Sequence, residues 1–420
     1  MMPVRYIKQK LFTSKGWALL DQVVFSASSF LTTLLLARAL GTKSFGAYSL
    51  IVLYLYLLLS VSNALIAGPF QVLYAASQRR ESYRSSLLIL QAGLCVFFGA
   101  LTAFLVSINA GGIPGVKGNG LALIILVAGF LMQDFFRRLF LVMDQPLKAF
   151  ILDSLSSILQ AGGLLFFCFR GELTIGTGLY VIGLTSIPSV IYAWIAACPV
   201  RVTGKDIKDS IRQHLHQGKW LLATAFLQWW ANNFLMATAG LFIGFSALAA
   251  LRLSQTLFGV LNAVLQLLEN YTLPRASALL QQENTTTFRN YLHHTGRQTL
   301  LFALPFLSAA FLFPGQILSL AGGTEYTGYA YALQGMVLLY AIIILGYPIR
   351  IAVRAMLLNR EFFMAYLVSG LFSLLTVRLI VQQWQVAGVI AALLINQLLM
   401  LVYWHRVLKR KNIVIWKLFM

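Results

Sequence analysis

Apolar runs of about 20 residues recur from one end of the chain to the other, separated by short breaks rich in Lys and Arg. A run of that length crosses a hydrocarbon core of about 30 Å as a helix. The pattern predicts twelve spans, at 17–37, 45–67, 87–109, 119–141, 150–169, 175–198, 220–243, 245–268, 299–320, 328–348, 362–381 and 387–405. Membrane β-strands would be about 10 residues long with alternating polarity, and that pattern is not seen. The expected fold class is an all-α polytopic membrane protein.

Composition agrees: 59% of residues are hydrophobic and 10% are charged, against about 25% charged in a soluble domain. The formal net charge of +20 falls in short clusters between the apolar runs, so it reads as a topology signal and no nucleic-acid partner is expected. Twenty-six Lys and Arg, including Arg5, Lys8, Lys10, Arg137, Arg138 and Lys417, fall on one side of the twelve spans; five fall on the other, and Arg252 lies inside a span. Both termini are therefore expected in the cytoplasm. A basic start, an apolar run and Ala37-Arg38-Ala39 resemble a signal peptide with its cleavage site. The run is longer than the usual 7–15 residues of a signal core, so a retained first span is expected. The three cysteines stand singly in apolar segments, and no catalytic, cofactor or metal-binding motif is found.

The two halves resemble each other. Ser28-Ser29-Phe30 recurs as Asn232-Asn233-Phe234, Gly41 as Gly244, and Tyr83-Arg84 as Phe288-Arg289, at offsets of 203 to 205; Arg138 and Arg354 then keep register at 216. This predicts lobes at 1–200 and 220–420, joined by a cytoplasmic linker at 201–219. Six helices per lobe is an even number, so the lobes insert in the same orientation. Parallel six-helix repeats with a site at their interface are a transporter architecture.

Polar residues inside spans are costly unless they face a cavity or find partners. In span 8, Arg252, Gln255, Gly259, Asn262, Gln266 and Glu269 follow spacings of 3 and 4 and share one helix face. A water-filled pathway or a hydrogen-bonded seam between helices would each produce this face. Span 1 offers Gln22, Ser26, Ser29 and Thr33 in one row and Asp21, Ser28 and Thr32 in the next. Its repeat mate, span 7, offers Gln228, Asn232 and Asn233. Asp21 is read as the only acid well inside a span. Asp134 and Arg138 are spaced for a helical ion pair. Gly240-x-x-x-Gly244 reads as a helix-packing pattern.

At LLLARALGTKSFGAYSL, span 1 ends in Ala37-Arg38-Ala39-Leu40-Gly41-Thr42-Lys43-Ser44-Phe45-Gly46. This segment resembles the signature of the polysaccharide-export branch of the MATE/MOP flippase superfamily (Wzx-like O-antigen and exopolysaccharide flippases). The resemblance implies a plasma (bacterial inner) membrane protein that moves undecaprenyl-diphosphate-linked oligosaccharide to the outer leaflet by alternating access. It implies a substrate cavity in which Arg252 and Arg38 supply cations, with Asp21 and Glu269 as candidates for ion coupling. It also implies membrane lipids, a polysaccharide polymerase and chain-length proteins as partners, with no cofactor. Span 2, the mate of span 8, carries no charge, so the expected cationic cavity is lopsided. An antiporter of drugs or organic cations with the same fold is the first alternative, and it would want acids deep in the cavity. A membrane glycosyltransferase or polymerase is the second, and it would want catalytic groups on sizeable outer loops, where this chain has none.

Overall fold

The computed structural model describes residues 14–76, 79–281 and 285–416. Arg5, Lys8, Lys10 and Lys417, used above for topology, lie outside them. Helix dominates, and no strand occurs among the described residues. In chain order the helices are α1 (Ser14–Ala39), α2 (Gly41–Ser62), α3 (Gly68–Ala76), α4 (Arg80–Ser107), α5 (Gly120–Val142), α6 (Pro146–Phe169) and α7 (Ile175–Ala197). They continue as α8 (Gly204–Phe242), α9 (Phe245–Leu257), α10 (Gly259–Gln281), α11 (Thr285–Leu312), α12 (Pro314–Gly322), α13 (Ala330–Ala355), α14 (Asn359–Thr376) and α15 (Gln382–Arg410). A π-helical turn over Asn63–Ala67 joins α2 to α3, and another over Val377–Val381 joins α14 to α15.

Each predicted span lies mostly on helix, but span 299–320 is broken by an 88° bend between α11 and α12 at Phe313, and span 245–268 by a bend between α9 and α10. Among the described residues eight helical runs are long and apolar enough to cross a membrane, or up to ten if each bent pair is one span. The run Asn359–Arg410 holds two predicted spans, broken at Gln385, where φ is 48° and ψ is −129°. Predicted span 220–243 is the second part of α8, whose 39 residues begin inside the expected linker. The chain is a multi-pass membrane protein, and its apolar exterior fits that: Val96 is 73% and Phe97 61% exposed on α4. In lipid, apolar area does not drive helices together, so packing and polar contacts between helices hold each bundle.

The chain divides into two compact units, one of residues through Leu40 with Ala47–Phe226, the other of Gly41–Gly46 with Leu227–Met420. The segment 201–219, expected as a linker, groups with the first. There α8 lays Ser210, His214 and Gly218, one helical row, against the first bundle, and all three are buried. His214 Nδ1 lies 2.9 Å from the Leu65 carbonyl of the π turn, so Nδ1–H donates, and Nε2 accepts from the Tyr83 hydroxyl at 2.6 Å. An aromatic core of Phe70, Phe135, Phe136 and Phe140 fills this unit. In the second unit Phe288, Tyr347, Tyr366 and Trp404 belong to the equivalent core.

The signature segment 37–46 acquires a structural meaning. Gly41 and its repeat mate Gly244 have φ of +69° and +125°, so each breaks a helix where other residues would be strained. Phe45 is fully buried. At Gly46 a Cβ would lie 1.8 Å from the Phe245 carbonyl oxygen, so only glycine lets the start of α2 touch the start of α9. Glu325 Oε2 accepts from the Thr42 backbone N–H at 3.2 Å, which places a carboxylate on orphan donors at the positive end of α2.

Helix ends correct one sequence expectation. The pairs α5/α13 and α6/α14 end and begin 213 residues apart, and Asp144 and Leu357, with φ of 55° and 53°, occupy the same place after them. The register of 216 through Arg138 and Arg354 is therefore shifted by three residues. In the corrected register Arg137 matches Arg350.

Candidate functional site

The first unit holds a buried ionic cluster. Arg137 of α5 donates from Nε to Asp21 Oδ2 on α1 at 2.9 Å, and from Nη2 to Gln22 Oε1 at 2.9 Å. Its Nη2 also lies 2.9 Å from Asp21 Oδ2. Asp153 Oδ2, on α6, lies 2.9 Å from the same Nε. That nitrogen carries one hydrogen, already given to Asp21, so Asp153 makes a charge contact and its Oδ2 accepts no hydrogen bond. Asp153 Oδ1 instead accepts from Gln133 at 3.0 Å, and Ser156 donates to the Gln133 carbonyl oxygen at 3.0 Å. The Phe25 ring closes the guanidinium face at 4.4 Å. The Asp21 and Asp153 side chains are 1% exposed and that of Arg137 is 11% exposed, so the charges are set among protein groups rather than water.

Two carboxylates share one guanidinium. One negative charge in the set is uncompensated by its partners, and Asp21 Oδ1 accepts no hydrogen bond. Such a set balances by taking up a proton or a small cation. Nearby, Arg138 pairs with Asp134 at 2.7 Å, as the i, i+4 spacing predicts, and the two neutralise each other.

These contacts correct two sequence expectations. Arg137 served there as a cytoplasmic topology marker, yet it is buried in an ion cluster; the basic asymmetry survives without it. Asp21 is joined by Asp153, an equally buried acid inside predicted span 150–169. The signal was present: Asp153, Ser156 and Gln160 share a face at spacings of 3 and 4, as Gln133 and Arg137 do. Gln160 completes the seam by donating to Thr32 at 2.7 Å. On the same side of α1, Ser29 is exposed and its carbonyl accepts from Thr33 at 2.8 Å. Arg38, at the end of α1, is exposed.

In the second unit the polar row expected along one helix is split. The chain bends by 46° between α9 and α10, at Phe258. Above the bend, Arg252 donates to Gln255 at 2.6 Å, and both side chains are half-buried. Below it, Asn262 donates to the Tyr340 hydroxyl on α13 at 2.7 Å while remaining exposed, and Gln266 is exposed. Glu269 pairs with Arg354 and lies 3.8 Å from Arg350, both on α13. The row is thus part seam and part exposed polar surface. On α8, Gln228 is half-buried, Asn232 is exposed, and Asn233 bonds back to the Trp229 carbonyl at 3.1 Å. Among the described residues no group of three or more His, Cys, Asp or Glu could hold a metal ion.

Comparison with known proteins gives a consistent result. Residues 221–384 match the MatE family. No curated protein sequence matches the chain. An inward-facing multidrug-resistance MATE transporter of the MOP superfamily superposes with a TM-score of 0.71 at 14% identity, over 94% of this chain and 98% of that one. The lipid II flippase MurJ, in an inward closed conformation, gives 0.69 at 12% identity, over 94% and 87%. A eukaryotic MATE transporter, AtDTX14, gives 0.65 at 14%, over 97% and 96%. At these identities the likeness is one of fold: the chain has the fold of the MATE transporters.

Proposed function

We propose that the protein is a transporter that carries a lipid-linked (undecaprenyl-diphosphate) oligosaccharide across the plasma membrane, for polysaccharide biosynthesis, by alternating access of its two lobes. The distribution of charge supports this reading. The second unit presents Arg252, steadied by Gln255, together with exposed Asn262 and Gln266. Guanidinium forks and amides suit a diphosphate-sugar headgroup. The acids of the first unit are buried against Arg137. Their surplus carboxylate gives Asp21, with Asp153, the means to take up a coupling proton or cation. Structural likeness to MurJ, a lipid II flippase, is compatible with this reading.

That same surplus carboxylate favours a second reading, an ion-coupled antiporter of drugs or organic cations, and the MATE transporters of like fold are compatible with it. One experiment separates the two. The protein is reconstituted in liposomes with a fluorescent lipid-diphosphate oligosaccharide, and accessibility of the label from outside is followed under imposed proton and sodium gradients. Efflux of a fluorescent organic cation is measured in the same vesicles. Translocation of the labelled lipid above empty liposomes is expected. No translocation under any gradient, with cation efflux present, sinks the flippase reading.

A further inference from the structure

Arg350 occupies, in the second unit, the register position of Arg137 in the first: each stands seven residues before the positive-φ residue that closes its helix, Leu357 and Asp144. The surroundings differ. The positions matching Asp21 and Asp153 at offsets of 204 and 213 are Ala225 and Tyr366. The second half of the chain thus keeps the cation and lacks both acids. What Arg350 has instead is a share of Glu269, whose Oε2 is 3.8 Å from Arg350 Nη2 while Oε1 contacts Arg354. A separation of 3.8 Å is too long for a hydrogen bond. Arg350 Nε is buried and has no hydrogen-bond partner.

The two arginines are also accessible. Around them α13 is closed: Ile349, Ile351, Ala352 and Val353 are all fully buried. The side chains of Arg350 and Arg354 are nevertheless 41% and 39% exposed. They are one helical turn apart, and both reach toward the Glu269 carboxylate. Two guanidiniums face one carboxylate, which leaves one positive charge and several donors unfilled. A carboxylate has two oxygens, and here each serves a different arginine. A phosphate has more oxygens and more charge, and it can engage both forks bidentately.

We propose that Arg350 and Arg354 form a binding site for a lipid-borne phosphate or diphosphate oxyanion, and that Glu269 is its resident counter-ion, displaced when the oxyanion arrives. Glu269 then serves as an internal competitor and not as the coupling acid that the sequence suggested. The identity of the natural ligand as the transported isoprenoid diphosphate rests on the function proposed above; the site itself does not.

The test uses the purified full-length protein, with binding of inorganic pyrophosphate and farnesyl diphosphate measured by calorimetry. Glu269→Gln removes the competitor and is expected to tighten farnesyl diphosphate binding about fivefold, a gain that misfolding cannot mimic. R350Q/R354Q is expected to weaken it at least about tenfold, and R350K/R354K to fall between, since lysine keeps the charge and loses the fork. If Glu269→Gln binds no tighter, or the double glutamine variant binds as the parent does, the site is refuted. Phosphatidylglycerol is added as competitor. Failure to displace farnesyl diphosphate supports an isoprenoid diphosphate ligand. Equal displacement supports the oxyanion site and overturns its assignment to cargo. The binding pattern without translocation in the liposome assay would refute the flippase reading and leave the site standing; translocation without the pattern would do the reverse.

Discussion

Replacing Arg137 by glutamine removes the one cation that Asp21 and Asp153 share, and the cost follows from charge. In the parent, two buried carboxylates face one guanidinium. In Arg137→Gln they face none, so one further negative charge is stranded. Breaking a buried pair by removing one partner costs about 3–5 kcal/mol. A second route gives the same size. The stranded carboxylate can escape by protonation, and protonating a carboxyl of ordinary pKa, near 3.9, at pH 7 costs about 4 kcal/mol. Each kcal/mol moves the melting temperature of a unit this large by roughly 2–4 °C, so a loss on the order of 10 °C is expected. Asp21→Asn behaves differently, although Asp21 takes the guanidinium's hydrogen bond from Nε. It leaves a one-to-one Arg137–Asp153 pair and removes the surplus charge, so its melting temperature is expected within a few degrees of the parent. The assay is fluorescence-detected size exclusion of detergent-solubilised protein after graded heating. The reasoning fails if Arg137→Gln melts within about 3 °C of the parent, or if Asp21→Asn is the more damaging change.

Gly46→Ala puts a Cβ against the Phe245 backbone, which has no rotamer to yield; a loss of about 1–3 kcal/mol is expected, and an unchanged melting temperature would show that the two helices do not touch there. Arg252→Ala is expected to cut transport about 10- to 100-fold at normal expression, the worth of a lost charge-assisted contact, with Arg252→Lys between; full transport in the alanine variant would make Arg252 a scaffold residue. Burial pushes the His214 pKa below its ordinary value, opposed by its bond to the Leu65 carbonyl. The unfolded chain therefore binds the proton more readily, so the neutral imidazole's contribution is present above about pH 6.5 and is lost as pH falls below that. A parent protein that loses melting temperature on acidification from pH 7 to 5.5 by more than His214→Gln does is the expected result; parallel profiles would exclude His214 as the cause.

The repeat bears on how such a protein divides its labour. Matching helix positions carry an arginine in both halves. In the first half it is enclosed by two acids, an amide and a ring. In the second it stands half-exposed beside a single acid. The difference lies in the charged partners and not in the arginine: Asp21 and Asp153 stand against Arg137, and Glu269 lies near Arg350.

The sequence by itself determined what is local. Apolar runs gave the helices, because a chain in lipid must satisfy its backbone within each segment. The Asp134–Arg138 pair was legible because helix geometry fixes which residues four apart meet. Gly41 and Gly244 were visible as repeat mates, but Gly244 read as half of a helix-packing pattern; only the structure, with φ of +69° and +125°, makes both of them breaks and places Gly244 between helices. Only the tertiary structure decided which polar faces meet. Asp21, Arg137 and Asp153 lie on three helices, with Asp21 and Arg137 116 positions apart. No periodicity within α1, α5 or α6 says that those three faces converge. For the same reason Arg137, adjacent to Arg138 and near a helix end, looked like a topology marker. The bend at Phe258 is not legible in the sequence because the polar spacing of 3 and 4 continues through it; in the structure the Phe258 ring stacks on Tyr340 of α13 at 4.3 Å. Spacing along a helix reports which side a residue is on; what stands on that side is set by the helices that pack there.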